Sequence, residues 1–343
     1  MLIEQPYLPN LDEQVYSVLE IAALARKLND EGISDEQVLE GTGIKESVLK
    51  DPAARVSIRQ RITVYENILN LSDDQALALR VGQSMAVSSL GIWGYAILSC
   101  NTLRGGIEFA FNYMRLAGPV GKKTFLEEGD QAVLRWENIL QLDDRVVPFA
   151  LELWFSSALQ WIRDIMHSPF ELVEMRFTYE ELPYAEEYRK TFGCPVRFNC
   201  EYNEMRFDVA FMDQPTARGN PLTEQVFREL CDQLMLDLHA KTGIVKDVHS
   251  ILTTQGNFPD IVTVADQLHM TTRTLRRKLA TQGTSYLLLI TEMRKQQSIK
   301  FLRETNMSIE EISDRVGFSD SSNFRTAFKR WTTKTPSMYR TSV

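Results

Sequence analysis

Apolar and polar positions divide the 343-residue chain into stretches of different period. Over the first eighty or so residues the spacing is helical. Two pairs there, Ser34 with Gln37 and Ser72 with Gln75, stand at the separation at which serine and glutamine side chains cap a helix start reciprocally. Leu151, Trp154, Phe155, Ala158, Ile162 and Ile165 recur on one helical face and predict a longer amphipathic helix. Strand patterns surround it. Residues 124–126 and 133–136 flank Glu128-Gly129-Asp130 and predict a hairpin, and Val173, Met175, Phe177 and Tyr179 alternate. Val196, Phe198 and Cys200, followed by Met205, Phe207, Val209 and Phe211, predict a second hairpin turning at Asn203-Glu204. Helices mixed with antiparallel pairs describe an α+β domain over residues 1–220.

Residues 221–240 return to a helical pattern, with Leu222, Val226, Phe227, Leu230 and Leu234 on one stripe and Pro221 in the first turn, where no backbone donor is missed. The stripe suits packing onto the preceding domain or pairing of two copies, so the segment reads as a linker or a dimer helix. Beyond it the pattern is helical throughout, and residues 241–343 form a second, all-α domain.

That domain holds one unit twice. A helix-turn-helix needs a small residue on its first helix, a tight turn, and a second helix that offers polar side chains to a groove. In the first copy, about 262–282, Thr263 is placed to cap a helix carrying Val264, Ala265 and Leu268; His269-Met270-Thr271 turn, and Thr272–Ala280 follows with Leu275 and Leu279 inward. In the second, about 308–332, Ser308 and Glu311 form a capping box before Ile309, Ile312 and Val316, the chain turns at Gly317-Phe318-Ser319, and Phe324 and Phe328 point inward. Ala265 aligns with Ser313, Leu268 with Val316 and Met270 with Phe318 at a constant offset of 48, after which the second copy has one extra residue. An internal repeat is stronger than either copy alone.

Between the copies, Ser285–Arg303 has no proline or glycine and carries Tyr286, Leu289, Ile290, Met293, Phe301 and Leu302, which predicts one connecting helix. Nineteen residues at about 1.5 Å each span roughly 29 Å, near the roughly 34 Å between successive major grooves on one face of DNA. On the first recognition helix Arg273, Arg276 and Arg277 oppose the inward leucines, and arginine forks match guanine edges bidentately. Ser321, Ser322, Arg325 and Thr326 are their counterparts on the second. Serines discriminate bases weakly, so this half positions and reads shape more than sequence. Lys278, Lys329, Arg330 and Lys334 are placed to meet phosphates.

The net charge of −8 changes the picture only when it is divided. Residues 256–343 hold fourteen Lys and Arg against eight Asp and Glu, which makes this segment +6 and the preceding 255 residues −14. A basic module therefore follows an acidic one. Cys100, Cys194, Cys200 and Cys231 form no C-x-x-C pair and read as buried reduced thiols. His167, His239, His249 and His269 read as packing or surface residues, and no metal or cofactor is expected. The chain has no nucleophile motif, phosphate loop, membrane-length apolar run or secretory leader, so enzyme and membrane roles are set aside and a cytoplasmic location is expected.

Several longer motifs resemble a known family. Glu311-Ile312, Val316-Gly317-Phe318-Ser319, Ser322, Phe324, Ala327-Phe328-Lys329-Arg330-Trp331, Pro336 and Tyr339-Arg340 resemble the signature of the AraC/XylS transcription regulators. Thr271, Arg273-Thr274-Leu275-Arg276-Arg277, Leu279 and Gly283-Thr284-Ser285 are similar to that family's first half. The resemblance implies a seven-helix DNA-binding domain. Ser298 and Ser313 stand where the family has alanine, and Thr332-Thr333-Lys334 replaces a glycine-containing turn. Gly91, Gly94-Tyr95, Thr102-Leu103 and Ala110, with Leu126 to Trp136, resemble the arabinose-binding-type sensor domain of an AraC subgroup, whose members respond to amino acids, fatty acids or related metabolites.

The expected whole is a two-domain activator acting as a homodimer, with promoter DNA, RNA polymerase and a small-molecule effector as partners. A pocket for the effector is expected to be mostly apolar with a few polar anchors. Trp93, Tyr95, Tyr113, Trp136 and Phe177 are candidate walls, and Arg104 and Arg115 candidate carboxylate partners. The alternative is an effector-independent regulator whose first domain only dimerises or touches polymerase.

Overall fold

The hairpin around Gly129 forms as expected and is the centre of a larger sheet in the computed structural model, which describes residues 1–5, 11–240, 243–255, 258–281, 284–332 and 334–341. The sheet comprises β1 (Leu2–Glu4), β2 (Lys122–Glu128), β3 (Gln131–Glu137), β4 (Leu172–Arg176), β5 (Val196–Arg197) and β6 (Asn203–Asp208), in the order β1-β2-β3-β6-β4-β5. Its pairings are antiparallel except β4 with β5.

The second expected hairpin does not form. Asn203 and Glu204, read as its turn, already pair with Trp136 and Arg135 on β3. Alternation fixes which residues share a face but not which strand lies alongside. The partner of β6 is distant in sequence, whereas β5 joins β4 in parallel after an intervening helix. Val209–Phe211 is a short 3-10 turn, and Phe177 and Tyr179 lie beyond the end of β4.

Around the sheet are α1 (Leu19–Asn29), α2 (Ile58–Leu71), α3 (Leu77–Ser84), α4 (Ile92–Ser99), α5 (Leu103–Asn112), α6 (Val146–Ile165) and α7 (Ala185–Phe192). The Ser34–Gln37 capping box is present and opens a short helix, Asp35–Leu39. Ser72 instead follows the end of α2, its hydroxyl accepts from the Asp74 N–H, and α3 starts only at Leu77. The reciprocal box that does form is Ser57 with Gln60, at the start of α2. Helix α6 carries the predicted apolar face, burying Leu151, Phe155, Ala158, Ile162 and Ile165. Cys100 and Cys231 are buried thiols, while Cys194 and Cys200, expected to be buried, are only half-buried; all four are free.

Helix α8 (Pro221–Ala240) answers the open question about its stripe with two faces. Phe227, Cys231 and Met235 pack onto Trp93, Cys100, Phe109 and Tyr113. Leu222, Val226 and Leu230 lie on the opposite side and are 76%, 56% and 42% exposed.

The chain divides into two units, Met1–Met235 and Leu236–Val343. The second contains α9 (Gly243–Gln255), α10 (Ile261–Gln267), α11 (Thr272–Thr281), α12 (Tyr286–Glu304), α13 (Ile309–Arg315), α14 (Ser321–Thr332) and α15 (Pro336–Thr341). One core runs through both repeats and the connecting helix α12, from Val264, Ala265, Leu275 and Leu279 through Leu289, Ile290 and Met293 to Ile312, Val316, Phe324 and Phe328. A shared core of this kind makes the two repeats a single packed body rather than beads on a string. Gly283 and Thr333, quoted above in family motifs, lie outside the described residues.

Candidate functional site

The two turns are held by the same backbone bonds. His269 N–H donates to Asp266 O and Met270 N–H to Ala265 O; 48 residues on, Gly317 N–H donates to Asp314 O and Phe318 N–H to Ser313 O, all at 3.0 Å. The pivot residue is left-handed in both copies, with φ 52° at His269 and 76° at Gly317. Glycine meets that requirement without strain and histidine does not. The second turn is braced further by Arg294 on α12, which donates to Gly317 O at 2.9 Å and lies over the rings of Phe258 and Phe318.

Helix α10 is capped by Asp260, whose carboxylate accepts from Thr263 N–H at 2.8 Å, so Thr263 is the third helical residue and not the cap. The repeat itself carried the signal for this correction, because Asp260 stands 48 residues before Ser308, the cap of α13. Ser308 and Glu311 form the expected reciprocal box.

Each second helix turns a buried pair inward and a polar face outward. On α11, Leu275 and Leu279 are fully buried while Arg273, Arg276, Arg277 and Lys278 are exposed. On α14, Phe324 and Phe328 are fully buried, Ser322, Arg325, Thr326, Lys329 and Arg330 are exposed, and Ser321 is half-buried. Lys334 is exposed beyond the helix. Counted from the helix starts, Arg273, Arg276 and Arg277 correspond to Ser322, Arg325 and Thr326.

Two of these side chains have local commitments. Arg325 donates to Glu310 at 2.7 Å, and Thr326 donates to Ser322 O at 3.0 Å. The position of Glu310 in the first unit is occupied by Val262, half exposed, so Arg276 meets no acid there. Asn323, missed in the sequence reading, is also exposed, but its amide donates to Asp320.

The first unit contains a cavity of about 1000 Å³, its open mouth included. Leu103, Ile107, Leu153 and Ile162, with the rings of Trp93 and Trp161, give it mostly apolar walls. Its charged lining residues are Glu20, Arg61 and Lys123. Arg61 is buried and donates to Gly118 O, to Ala117 O at 3.1 Å and to Ser17 O at 3.3 Å, with its Nε 3.4 Å from Glu20. Glu20 also accepts the Tyr65 hydroxyl at 2.5 Å.

Lys123 extends from β2 into this interior, 4% exposed, and donates to Val120 O at 3.0 Å. The Trp136 indole donates to the same carbonyl at 2.8 Å. Gly121 makes that possible: at φ 87° a side chain there would be strained, and a Cβ would stand 2.4 Å from the Trp136 ring. Burial pushes the Lys123 amine down to about 7; nearby Arg61 pushes the same way and Glu20 opposes.

Of the candidate pocket residues, only Trp93 lines this cavity, with its indole N–H buried and without an acceptor among the described residues. Tyr95 is 49% exposed and stacks on Phe227. Arg104 pairs with Glu127 and Asp213 near the surface. Tyr113 donates to Asp232 at 2.5 Å, Arg115 is buried elsewhere, Trp136 covers Gly121, and Phe177 belongs to an aromatic cluster with Phe155 and Tyr188. In each case an aromatic or arginine finds its partner within the protein. The sequence signal missed was the strand phase: β2 begins two residues earlier than the pattern suggested, which puts Lys123 in step with the buried Phe125.

Comparison with known proteins bears on both units. Residues 32–216 match the family described as the arabinose-binding domain of AraC transcription regulator, N-terminal, and residues 264–342 match a helix-turn-helix domain family. The chain is similar to the ornithine utilization regulator of Pseudomonas aeruginosa, 30% identical over 96% of this chain and 98% of the relative. It is similar to an uncharacterized HTH-type transcriptional regulator of Mycobacterium tuberculosis, 29% identical over 97% and 98%. The crystal structure of the transcriptional regulator CdpR from Pseudomonas aeruginosa covers 94% of this chain and 98% of its own with a TM-score of 0.51 at 23% identity, a likeness of fold. Among the described residues no helix is long and apolar enough to cross a membrane, and no His, Cys, Asp and Glu group could hold a metal.

Proposed function

Because the chain belongs to the AraC family of transcription regulators, DNA-binding proteins that are not enzymes, we propose that α11 and α14 enter successive major grooves of promoter DNA. Arg273, Arg276 and Arg277 read base edges from α11. Ser321, Ser322, Arg325 and Thr326 face the groove from α14 with less discrimination, and Lys278, Lys329, Arg330 and Lys334 meet phosphates. The observation that carries this reading is the repeat: two helices on one shared core expose the same positions after the same hydrogen-bonded turn.

The first unit senses a small molecule in the cavity bounded by Trp93 and Lys123, and the bound effector shifts the regulator between states by its differential affinity for them. The ornithine utilization regulator's name ties that relative to an amino acid; the lining here is largely apolar. The rival reading, a first unit that only dimerises, draws on the exposed Leu222, Val226 and Leu230 of α8, an apolar seam at four-residue spacing suited to a second copy. Both roles fit one unit. The protein works in the cytoplasm as a homodimeric activator that contacts RNA polymerase.

Sites selected from random DNA by the full-length protein test the first part, and ligand-dependent shifts in melting temperature test the second. Selected sites without a shared motif would sink the DNA reading. Absence of any shift across a broad metabolite collection would leave the dimerisation-only reading.

A further inference from the structure

We propose that Arg294 on α12 sets the angle between the two reading helices, and with it the one spacing between DNA blocks that the protein accepts. It is a positioning residue, and the inference rests on the reading of α11 and α14 as helices in successive major grooves, which it extends to spacing.

The two halves of the C-terminal unit are held together first by their shared apolar core, and burial of that kind is non-directional, scaling with area. Each half also has a polar tie of its own. Pro259 O, just ahead of α10, accepts the Tyr286 hydroxyl from the start of α12; Met307 O, its equivalent 48 residues on, accepts from Arg340 of α15 at 2.5 Å. Both ties join a lead-in segment to the helix that follows its own reading helix.

Arg294 reaches across the repeat. From the middle of α12 its guanidinium carbon lies 5.2 Å from the ring centre of Phe258, in the lead-in of the first copy, and 5.0 Å from that of Phe318, in the turn of the second. Its Nη2 donates to Gly317 O at 2.9 Å, at the pivot of that turn. Phe258 and Gly317 are neighbours in their own right, since a Cβ added to Gly317 would stand 3.4 Å from the Phe258 ring and 3.2 Å from Nη2. The joint continues into the second reading helix, because Phe318 packs on Phe324 and Trp331 of α14 with ring centres 5.6 and 5.8 Å apart.

A planar guanidinium that covers two rings and donates to a carbonyl is fixed in tilt as well as in position. Among the described residues no carboxylate pairs with Arg294, and its buried Nε has no acceptor, so what holds it is this directional set and not an ion pair. Phe258 adds a sign of constraint. Its φ of 44° is left-handed, a conformation that persists in a bulky residue only where the surroundings impose it.

Spacing is where a fixed angle shows. One base pair more between two blocks turns the second by about 34° and moves it about 3.4 Å along the axis. A reader whose halves are locked cannot follow that change, whereas one with a loosened joint can follow it in part.

The test measures binding of the full-length protein to duplexes carrying the two-block site that it selects from random DNA, at the selected spacing and with one base pair inserted or removed between the blocks. Either change should weaken the wild type at least ~10-fold, the scale of a lost base contact. Arg294→Met keeps the aliphatic stem without the planar cation or its donors, and should shrink that penalty to within about 3-fold, less than one lost base contact. Arg294→Lys, which retains a cation and a donor but no plane, should fall between the two. Phe258→Leu removes the ring and keeps an apolar side chain, so it should relax spacing in the same way and decides the matter if Arg294→Met does not fold.

Weaker binding of Arg294→Met at every spacing alike, with the full penalty retained, overturns the inference and leaves Arg294 a role in stability; the same result with a salt slope lowered by about one makes it a phosphate contact and overturns the inference too. A wild type indifferent to one base pair also overturns it. Two selected blocks whose spacing none of the variants relaxes leave the two-groove reading standing and sink this inference alone. Selected sites with one block or none sink both.

Discussion

The two helix-turn-helix units share a scaffold and differ in the face they present. Their turns are superposable bond for bond at an offset of 48, yet α11 offers Arg273, Arg276 and Arg277 where α14 offers Ser322, Arg325 and Thr326. The single arginine that recurs, Arg276 and Arg325, is tied to Glu310 in the second unit, whereas Val262 stands at the place of Glu310 in the first. Backbone geometry is thus conserved by packing and turn chemistry, while exposed positions are free to diverge. On the function proposed above, α11 supplies sequence preference and α14 supplies placement.

The first way to break the comparison is through the cores. Phe324→Ala should cost about 3–5 kcal/mol and Leu275→Ala about 2–5 kcal/mol, both fully buried in the one core that serves the two units. Because the core is shared, either loss should weaken the whole C-terminal unit in denaturant melts, not one repeat alone.

A second contrast lies between the two units of the chain. Among the described residues the C-terminal unit fully buries hydroxyls such as Ser298 and Ser313, whereas the N-terminal unit buries Arg61, Lys123, Glu152 and Glu204. Glu152 accepts from the hydroxyls of Tyr184 at 2.7 Å and of Tyr188 with no cation beside it, and burial raises its carboxyl to about 7, the two tyrosines opposing. The folded protein therefore keeps this proton over a range in which the unfolded chain has released it. Stability should fall as pH rises from about 4.5 to about 7, by about 3 kcal/mol from this group. Glu152→Gln should flatten that dependence in melts of the N-terminal unit; an unchanged slope would contradict the assignment.

On DNA, Arg276→Ala should cost about 1–3 kcal/mol and relax base preference, and Arg325→Ala should cost less. Glu310→Val should bring the second unit closer to the first by releasing Arg325, and Val262→Glu should do the reverse to Arg276. Fluorescence anisotropy with selected DNA reads all four. Lys329→Ala should weaken every sequence alike and lower the salt slope by about one.

The smallest effect concerns the turn pivots. Gly317→Ala should destabilise by about 1 kcal/mol or more, because φ 76° suits glycine and a Cβ would stand 3.2 Å from the Arg294 guanidinium. His269→Gly should relieve strain and change stability by less than about 1 kcal/mol. Equal effects at the two positions would remove the distinction drawn between the turns.

The helix-turn-helix units were legible because their signals are local: capping box, inward pairs at helical spacing, and a repeat that aligns one copy on the other. Even there the cap at Asp260 went to Thr263, three residues late. The N-terminal unit was legible only where its contacts are local, as in the β2–β3 hairpin. The strand β6 pairs with residues some seventy positions earlier, and nothing in its alternation names that partner. Lys123 illustrates the limit for the site. In sequence it is half of a Lys-Lys pair just ahead of the strand pattern at 124–126, and only the fold brings it to the cavity that residues of α1, α2 and α6 also line. Of the aromatic residues chosen as walls, Trp93 lines the cavity, while Tyr95, Tyr113, Trp136 and Phe177 find partners elsewhere in the protein, because a large ring fills a core as readily as it lines a pocket.

The most direct test of the account is to select binding sites from random DNA with the wild-type protein, with Arg276→Ala and with Arg325→Ala. The account predicts two blocks of preference about one helical turn apart, a sharp guanine-containing block that Arg276→Ala flattens and a weaker block that Arg325→Ala alters only slightly. Two equally sharp blocks, or a sharp block that depends on Arg325 and not on Arg276, would contradict it.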